Sequence, residues 1–485
     1  MTAPCATLEV VTDVAPSTPD PHRSPAPRLT ADDLVAATGG RLVARSDRPI
    51  RGGAVDSRIV EDGELFVALP GERTDGHAYL AEAVARGAAA LIVSRPIPDP
   101  SALGDPLAAL GAVATAWRRR FDPLVVGVTG SIAKTSTKEA VATVLSARYR
   151  TLRNEGNLNN EIGLPLTLLR LRPEHEAAVL EMGMYVGGEI ADLARMGRPR
   201  IGVVTAVQAV HLSRIGSIEA IEQAKGELLE ALPPDGRAIL NADDPIVRRM
   251  GSRSVAPSLS YGFADDADIG AEDVATAGVD GMRFTLRSDV GRAKVTIPAL
   301  GRLSVHNALA AAAVGRAAGM PLDRIVAGLE AGWSAPHRVQ LVRLGDVTLV
   351  DDTYNSSPRS VEAALELLGD LPGRRGAVLG EMLELGDAHE EGHFEVGEAA
   401  ARTVDWLVVV GEGAAGIAEG AEAAGLDPAR ITRVPDAEAA LDVVPPRLRD
   451  GDVVLLKASR GIGLDRVVDG LRIILDDGTL GAGRR

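Results

Sequence analysis

Gly127-Val-Thr-Gly-Ser-Ile-Ala-Lys134-Thr-Ser-Thr-Lys138 follows a short apolar run, Leu124-Val-Val, and precedes a helix-like run, Glu139-Ala-Val-Ala-Thr-Val-Leu. Strand, tight loop and helix with Lys-Thr at its start is how a chain builds a nucleotide phosphate site. Backbone N–H groups at the helix N-terminus point at the phosphates, Lys134 adds a point charge, and the Thr135 hydroxyl is placed for a magnesium ion. Thr129, Gly130, Ser131, Ile132, Ala133, Lys134, Thr135 and Ser136 form the candidate loop. The common pattern has glycine before the lysine and six residues before it; here those residues are Ala133 and Val128. If residue 133 needs a positive φ, alanine there costs roughly 1–2 kcal/mol.

Working outward, the chain has 485 residues, enough for about three domains. No uncharged apolar run approaches the roughly 18 residues needed to cross a membrane, and the N-terminus shows no secretory pattern. The only cysteine, Cys5, can make neither an intrachain disulfide nor a cysteine zinc site, which fits a reducing cytoplasm. A formal charge of −15 argues against non-specific nucleic-acid binding. It leaves room for a small anionic substrate held by a few local basic groups.

Residues 1–28 carry Pro16, Pro19, Pro21, Pro25 and Pro27 among Ser, Thr and Asp, and are expected to be a disordered tail. A first domain is expected over residues 29–122. In it, Asp56-Ser57-Arg58 precedes the apolar strand Leu65-Phe-Val-Ala-Leu, and offers an anion a hydroxyl and a guanidinium or is simply a surface turn. A second domain, residues 123–334, starts at the phosphate loop. Its Asn154-Glu-Gly-Asn-Leu-Asn-Asn160 run is a donor-rich loop or a connector. Ala177-Ala-Val-Leu-Glu181 and Ile201-Gly-Val-Val-Thr are buried strands, with Glu181 and His211 at or beyond their C-terminal ends, the edge where open α/β sheets hold ligands. Lys225 lies partly in the apolar stripe of a helix over 217–232, or snorkels from it. Residues 265–298 read as a small β insertion, and Asn307 heads an Ala-rich helix. From 335 to 485, apolar runs end in polar or glycine turns and then helix patterns, which predicts a parallel, doubly wound sheet.

Taken in this order, the motifs resemble the Mur ligase family of ATP-dependent amide-bond-forming enzymes in peptidoglycan precursor synthesis. The resemblance covers about residues 30–475. It rests on the phosphate loop, Asp56-Ser-Arg58, Asp75-Gly-His77, Asn157-Leu-Asn-Asn-Glu-Ile-Gly-Leu-Pro165, Asp351-Asp-Thr-Tyr-Asn355 and Gly380-Glu-Met-Leu-Glu-Leu-Gly386. These segments resemble the branch that adds D-alanyl-D-alanine. The Asp-Asn-Pro-Arg motif of the diamino-acid-adding branch does not occur in the third domain. The implied fold is α/β in three parts: a small UDP-sugar-binding domain, a central ATPase-like parallel-sheet domain and a C-terminal Rossmann-like domain.

The resemblance implies ATP and two Mg²⁺ as cofactors, UDP-MurNAc-tripeptide and D-Ala-D-Ala as substrates, and a cytoplasmic monomer. Carried over by position, it implies catalytic roles for Lys134, Glu181, His211 and Lys225. Thr135, Glu181, His211 and a carbamylated Lys225 would hold metal, since an unmodified ammonium cannot be a ligand. Asn307, Arg338, Asp352 and Asn355 would meet the nucleotide, and Asp56, Ser57, Arg58, Asn157 and Asn160 the UDP-sugar substrate. The chain departs from the family pattern at Ala133, at Gly301-Arg-Leu-Ser, at Tyr354-Asn-Ser-Ser357 and at Lys457-Ala-Ser-Arg460, and none of these removes a charged group from the reaction. A Mur-like ligase for another amine, and a weakly active nucleotide-binding scaffold, are the alternatives.

Overall fold

The computed structural model describes residues 7–9, 28–42, 45, 48–71, 74–94, 106–208 and 217–476. The described residues form two compact units, one within 1–208, 217–261 and 310–325, the other within 262–309 and 326–485.

The first unit begins with a small sheet. Its strands are β1 (Thr7–Glu9), β2 (Arg41–Leu42), β3 (Gly53–Ala54), β4 (Leu65–Val67) and β5 (Ala90–Val93), in the order β2-β1-β5-β4-β3. β1 corrects the expectation of a wholly disordered tail, because Thr7–Glu9 pairs antiparallel with β5 and parallel with β2. It belongs to the short run Thr7-Leu-Glu-Val-Val-Thr12, β-prone sequence ahead of the prolines. The remainder of that tail, apart from Arg28, lies outside the described residues.

A larger parallel sheet follows. It contains β6 (Leu124–Thr129), β7 (Thr151–Arg153), β8 (Ala177–Glu181), β9 (Ile201–Val204), β10 (Arg237–Asn241) and β11 (Ser258–Gly262), with β6 between β8 and β9. The chain winds from β6 to β7 and β8 on one side, then crosses to β9 on the other. The loop after β6 therefore stands at the topological switch point, where such sheets open a crevice. β6, β8 and β9 are buried on both faces, which is why they read as unbroken apolar runs. The two sheets of this unit share one core. Leu110, Val113 and Trp117 of the helix Pro106–Arg118 cluster with Leu65 and Ile92 on one side and Leu164, Leu168 and Leu180 on the other.

The second unit holds the expected β insertion, an antiparallel meander of β12 (Ile269–Thr276), β13 (Met282–Ser288) and β14 (Gly291–Ile297). Its main sheet contains β15 (Gln340–Leu344), β16 (Val347–Asp351), β17 (Arg374–Gly380), β18 (Trp406–Val410), β19 (Ile431–Val434) and β20 (Asp452–Lys457), in the order β15-β16-β20-β17-β18-β19. All neighbours are parallel except the β15–β16 hairpin. Apolar clusters cover both faces, one around Leu368, Val396 and Ile417, the other around Ala440, Val467 and Leu471. That is the doubly wound sheet expected from the alternating pattern. Among the described residues, no helix is long and apolar enough to cross a membrane.

Candidate active site

The phosphate loop is fixed from below by β9 and the residues after it. Ser131 N–H donates to Ala206 O at 2.7 Å, and the Thr205 hydroxyl donates to Ile132 O at 2.6 Å. Ser131 Oγ donates to Gln208 O and accepts from Gln208 N–H at 2.9 Å. Gly130 has φ 150°, and a Cβ there would stand 1.9 Å from Thr205 Oγ1, so the close approach excludes any side chain. Ala133 has φ 63° and ψ 2° and immediately precedes the helix Lys134–Ser146. The residue is therefore left-handed, the state in which alanine costs roughly 1–2 kcal/mol. The turn persists because Thr137 N–H bonds Ala133 O at 2.9 Å and the loop is held at both ends. Lys134 Nζ donates to Gly130 O at 2.8 Å and curls over the loop; Thr135 is buried in the first helical turn.

Glu181 ends β8, opposite Val128 of β6. It is buried; Oε1 accepts from Asn159 Nδ2 at 2.7 Å, and Oε2 has no hydrogen-bond partner among the described residues. A buried carboxylate oxygen without a donor demands a counter-charge. Lys225, on the helix Ile218–Glu230, is also buried. Burial, and then the charge of Lys134, hold its ammonium well below the ordinary lysine range. His211 lies outside the described residues.

These groups fit a hard divalent cation. The orphaned Glu181 oxygen and the Thr135 hydroxyl are hard oxygen donors, and a lysine whose pKa burial lowers can, in its neutral form, take up CO₂ to become a third. Among the described residues no three His, Cys, Asp or Glu side chains cluster as a self-sufficient metal site. A cation here would have to share its coordination with phosphate oxygens and water, as Mg²⁺ ordinarily does.

The asparagine run divides by role. Asn154 is fully buried; its Oδ1 accepts from Glu181 N–H at 2.9 Å and its Nδ2 donates to Leu158 O at 2.8 Å. Asn159 holds the Glu181 carboxylate. Asn160 Oδ1 accepts from Ile162 N–H and from Gly163 N–H, at 3.0 Å, at the start of the helix Gly163–Leu169. Asn157 is exposed. The two asparagines bound to Glu181 are thus Asn154 and Asn159, not the pair singled out from the sequence. Their signal was in the quoted run, but spacing alone did not say which amides turn inward.

In the small sheet, Asp56 caps a short turn over Ser57–Ile59, and its carboxylate takes Arg58 Nε at 2.9 Å and Nη2 at 2.6 Å. Those bonds draw the Asp56 carboxyl down to about 2. Ser57 is buried and donates to Glu82 Oε2 at 2.7 Å, so of the three only Arg58 is exposed.

In the second unit, Asn307 is buried in the helix Arg302–Ala317. The third-domain residues gather at the C-terminal ends of β16 and β20. Asp352 Oδ2 accepts from Lys457 Nζ at 2.6 Å, and Lys457 Nζ also donates to Asn355 O at 2.8 Å. Burial raises the Asp352 carboxyl, opposed by Lys457 and Arg338. Arg338 lies 3.9 Å from the Tyr354 ring centroid, with Arg460 5.1 Å from the same ring. Lys457 is therefore the buried member of the cluster, with Asp352 and Arg338 half-buried. Lys457, quoted within a sequence motif but given no role, is the cation that fixes it.

A phosphate loop at the switch point, with a buried carboxylate and a deprotonation-prone lysine on neighbouring elements, defines a nucleotide-handling α/β enzyme. Three family models match the chain: "Mur ligase family, catalytic domain" over residues 49–149, "Mur ligase middle domain" over 128–315 and "Mur ligase, glutamate ligase domain" over 337–460. A relative from Mycobacterium tuberculosis, a UDP-N-acetylmuramoyl-tripeptide–D-alanyl-D-alanine ligase, is 37% identical over 470 residues, covering 87% of this chain and 92% of that protein. A crystal structure of MurF from Acinetobacter baumannii superposes with a TM-score of 0.83 at 31% identity, covering 93% of this chain and 100% of the other. MurF from Thermotoga maritima, solved in complex with ADP, gives a TM-score of 0.76 at 29% identity over 88% and 98% of the two chains. The chain belongs to the Mur ligase family, in its MurF branch.

Proposed function

We propose that this chain is an ATP-dependent ligase that joins D-alanyl-D-alanine to UDP-N-acetylmuramoyl-tripeptide, giving the UDP-MurNAc-pentapeptide, ADP and phosphate. The similarity to MurF-type ligases along almost the whole chain supports the substrates. The observation that carries the chemistry is the Glu181 oxygen, unpartnered among the described residues, beside the phosphate-loop strand.

A carboxylate is a poor acyl donor, so the reaction first transfers the γ-phosphoryl of ATP to the terminal carboxylate of the tripeptide. The amine of D-Ala-D-Ala then attacks the acyl phosphate; phosphate leaves as the amide forms. Loop N–H groups and Lys134 would bind the phosphates and offset the repulsion between two anionic reactants. Thr135, Glu181, His211 and a carbamylated Lys225 would hold two Mg²⁺ ions, which when bound supply charge neutralisation for phosphoryl transfer. Burial lowers the Lys225 pKa, and the neutral amine is the form that reacts with CO₂, which supports the carbamylation of Lys225. Arg338, oriented by Tyr354 and anchored through Asp352 and Lys457, and Asn355 and Asn307 would approach the nucleotide. Arg58 is the best placed of the small-sheet residues to meet an anionic substrate. Asn157 and Asn160 belong to the same reading. A monomer in the cytoplasm, with no nucleic-acid or membrane partner, completes it.

The test is phosphate release that depends on ATP, UDP-MurNAc-tripeptide and D-Ala-D-Ala together, read across a panel of amine substrates. Nucleotide binding without turnover would leave a scaffold; preference for another amine would redirect the substrate.

A further inference from the structure

We infer that Lys138 is a positioning residue that ties the phosphate-loop helix to the asparagine loop and thereby sets the Glu181 carboxylate. The inference rests on the reading of Glu181 as a metal ligand.

Lys138 lies one helical turn beyond Lys134, on the same face of the helix. It is completely buried. A buried ammonium is expensive unless its donors are all used, and here they are. Nζ donates to Asn154 O at 2.7 Å and Gly156 O at 3.4 Å, and pairs with Glu139 Oε1 at 3.0 Å. The other Glu139 oxygen pairs with Arg153 Nε at 2.6 Å. Lys138 and Glu139 thus hold the chain on both sides of its entry into the asparagine loop.

That loop in turn grips Glu181 at three points. Asn154 takes its N–H at 2.9 Å and donates to its carbonyl at 3.2 Å. Asn159 donates to Oε1 at 2.7 Å, and Asn159 O accepts from Gly183 N–H at 2.8 Å. Asn159 therefore decides which carboxylate oxygen is engaged and which is left for a cation. All three donors of Lys138 are spent on the protein, so it cannot itself contact phosphate. Its influence passes through the loop to Glu181.

The experiment compares the full chain with Lys138→Met, Lys138→Gln, Asn159→Ala and Glu181→Gln. Mn²⁺ binding in the presence of ADP is read by electron paramagnetic resonance, and binding of a fluorescent ADP in EDTA is read separately. Lys138→Met and Asn159→Ala are each expected to weaken Mn²⁺ binding at least tenfold. Metal-free ADP binding should stay within twofold, and the double variant should weaken Mn²⁺ little further, since both act through one contact. Wild-type Mn²⁺ affinity in Lys138→Met, or an equal loss of metal-free ADP binding, overturns the inference. If Lys138→Met does not fold, Lys138→Gln, which keeps one amide donor for Asn154 O, and Asn159→Ala carry the same expectation; wild-type affinity in either is fatal to it. Glu181→Gln separates the two levels. If it leaves Mn²⁺ binding unchanged, the ligand reading has failed and the inference with it. If it weakens binding while the Lys138 variants do not, only the positioning role has failed.

Discussion

Lys225 is where residue-scale physics is most exposed. Burial and the neighbouring Lys134 depress its pKa below the ordinary 10.5. The unfolded chain therefore binds more protons than the folded one between the folded pKa and 10.5, and stability rises with pH through that interval. Below it, the buried cation is a full penalty. In bicarbonate-free buffer at pH 7, Lys225→Met should be more stable than the parent by roughly 1–3 kcal/mol, with the gap closing as pH approaches 10.5. The same variant should lose turnover, and Lys225→Ala should regain part of it with short-chain carboxylates. Denaturant unfolding across pH, with the phosphate-release assay, checks both; a fully active Lys225→Ala without added carboxylate sinks the role. The sequence made this lysine visible, since it stands among Ala220-Ile221 and Leu228-Leu229. It did not disclose the left-handed turn at Ala133 or the partner of Asp352. Those depend on how a loop closes and on a lysine 105 residues away, and neither leaves a local pattern.

At the scale of elements, strands buried on both faces were legible because they are short apolar runs ended by turn residues. β1 and β11 were not, since Thr7-Leu-Glu9 and Ser258-Leu-Ser-Tyr-Gly262 mix polar and apolar residues without such a run. Side-chain caps close several helices. Thr30 caps its helix through Asp33 N–H, and Asp244 serves two segments at once. Its Oδ1 takes Ile246 N–H at 2.9 Å and Val247 N–H at 3.1 Å, and its Oδ2 takes Val207 N–H at 2.8 Å. Val207 directly precedes Gln208, which is bonded to Ser131. One carboxylate thus caps the helix Pro245–Arg249 and braces the floor of the phosphate loop. Loss of the cap is worth about 1 kcal/mol and the freed, part-buried Val207 N–H about as much again. Asp244→Ala should lower stability by about 2 kcal/mol and weaken nucleotide binding, with Asp244→Asn milder in both. An Asp244→Ala protein within 0.5 kcal/mol of the parent, on the error expected for surface substitutions, would show that the brace is unimportant.

For the whole molecule, composition and motif order indicated a large α/β enzyme but not how its segments share cores. The small first sheet and the parallel sheet cluster on common residues such as Leu110 and Trp117, so they form one compact unit rather than two independent ones. Shared packing of this kind involves residues far apart in sequence, and apolar periodicity says only that a face is buried, not against what. The division has a thermodynamic consequence. Two compact units need not unfold as a single cooperative transition. The phosphate loop and Lys134 belong wholly to the first unit. Calorimetry should therefore resolve more than one transition. ADP with Mg²⁺ at a hundred times its Kd should stabilise the unit containing residues 124–208 by about 2.7 kcal/mol, the mass-action limit for a ligand that binds only the folded form. Hydrogen exchange would locate that protection, and Lys134→Met should remove most of it while leaving the ligand-free profile nearly unchanged. A single transition with coincident probes, or protection equally strong in Lys134→Met, would mean that the units unfold together or that the phosphate loop does not hold the nucleotide.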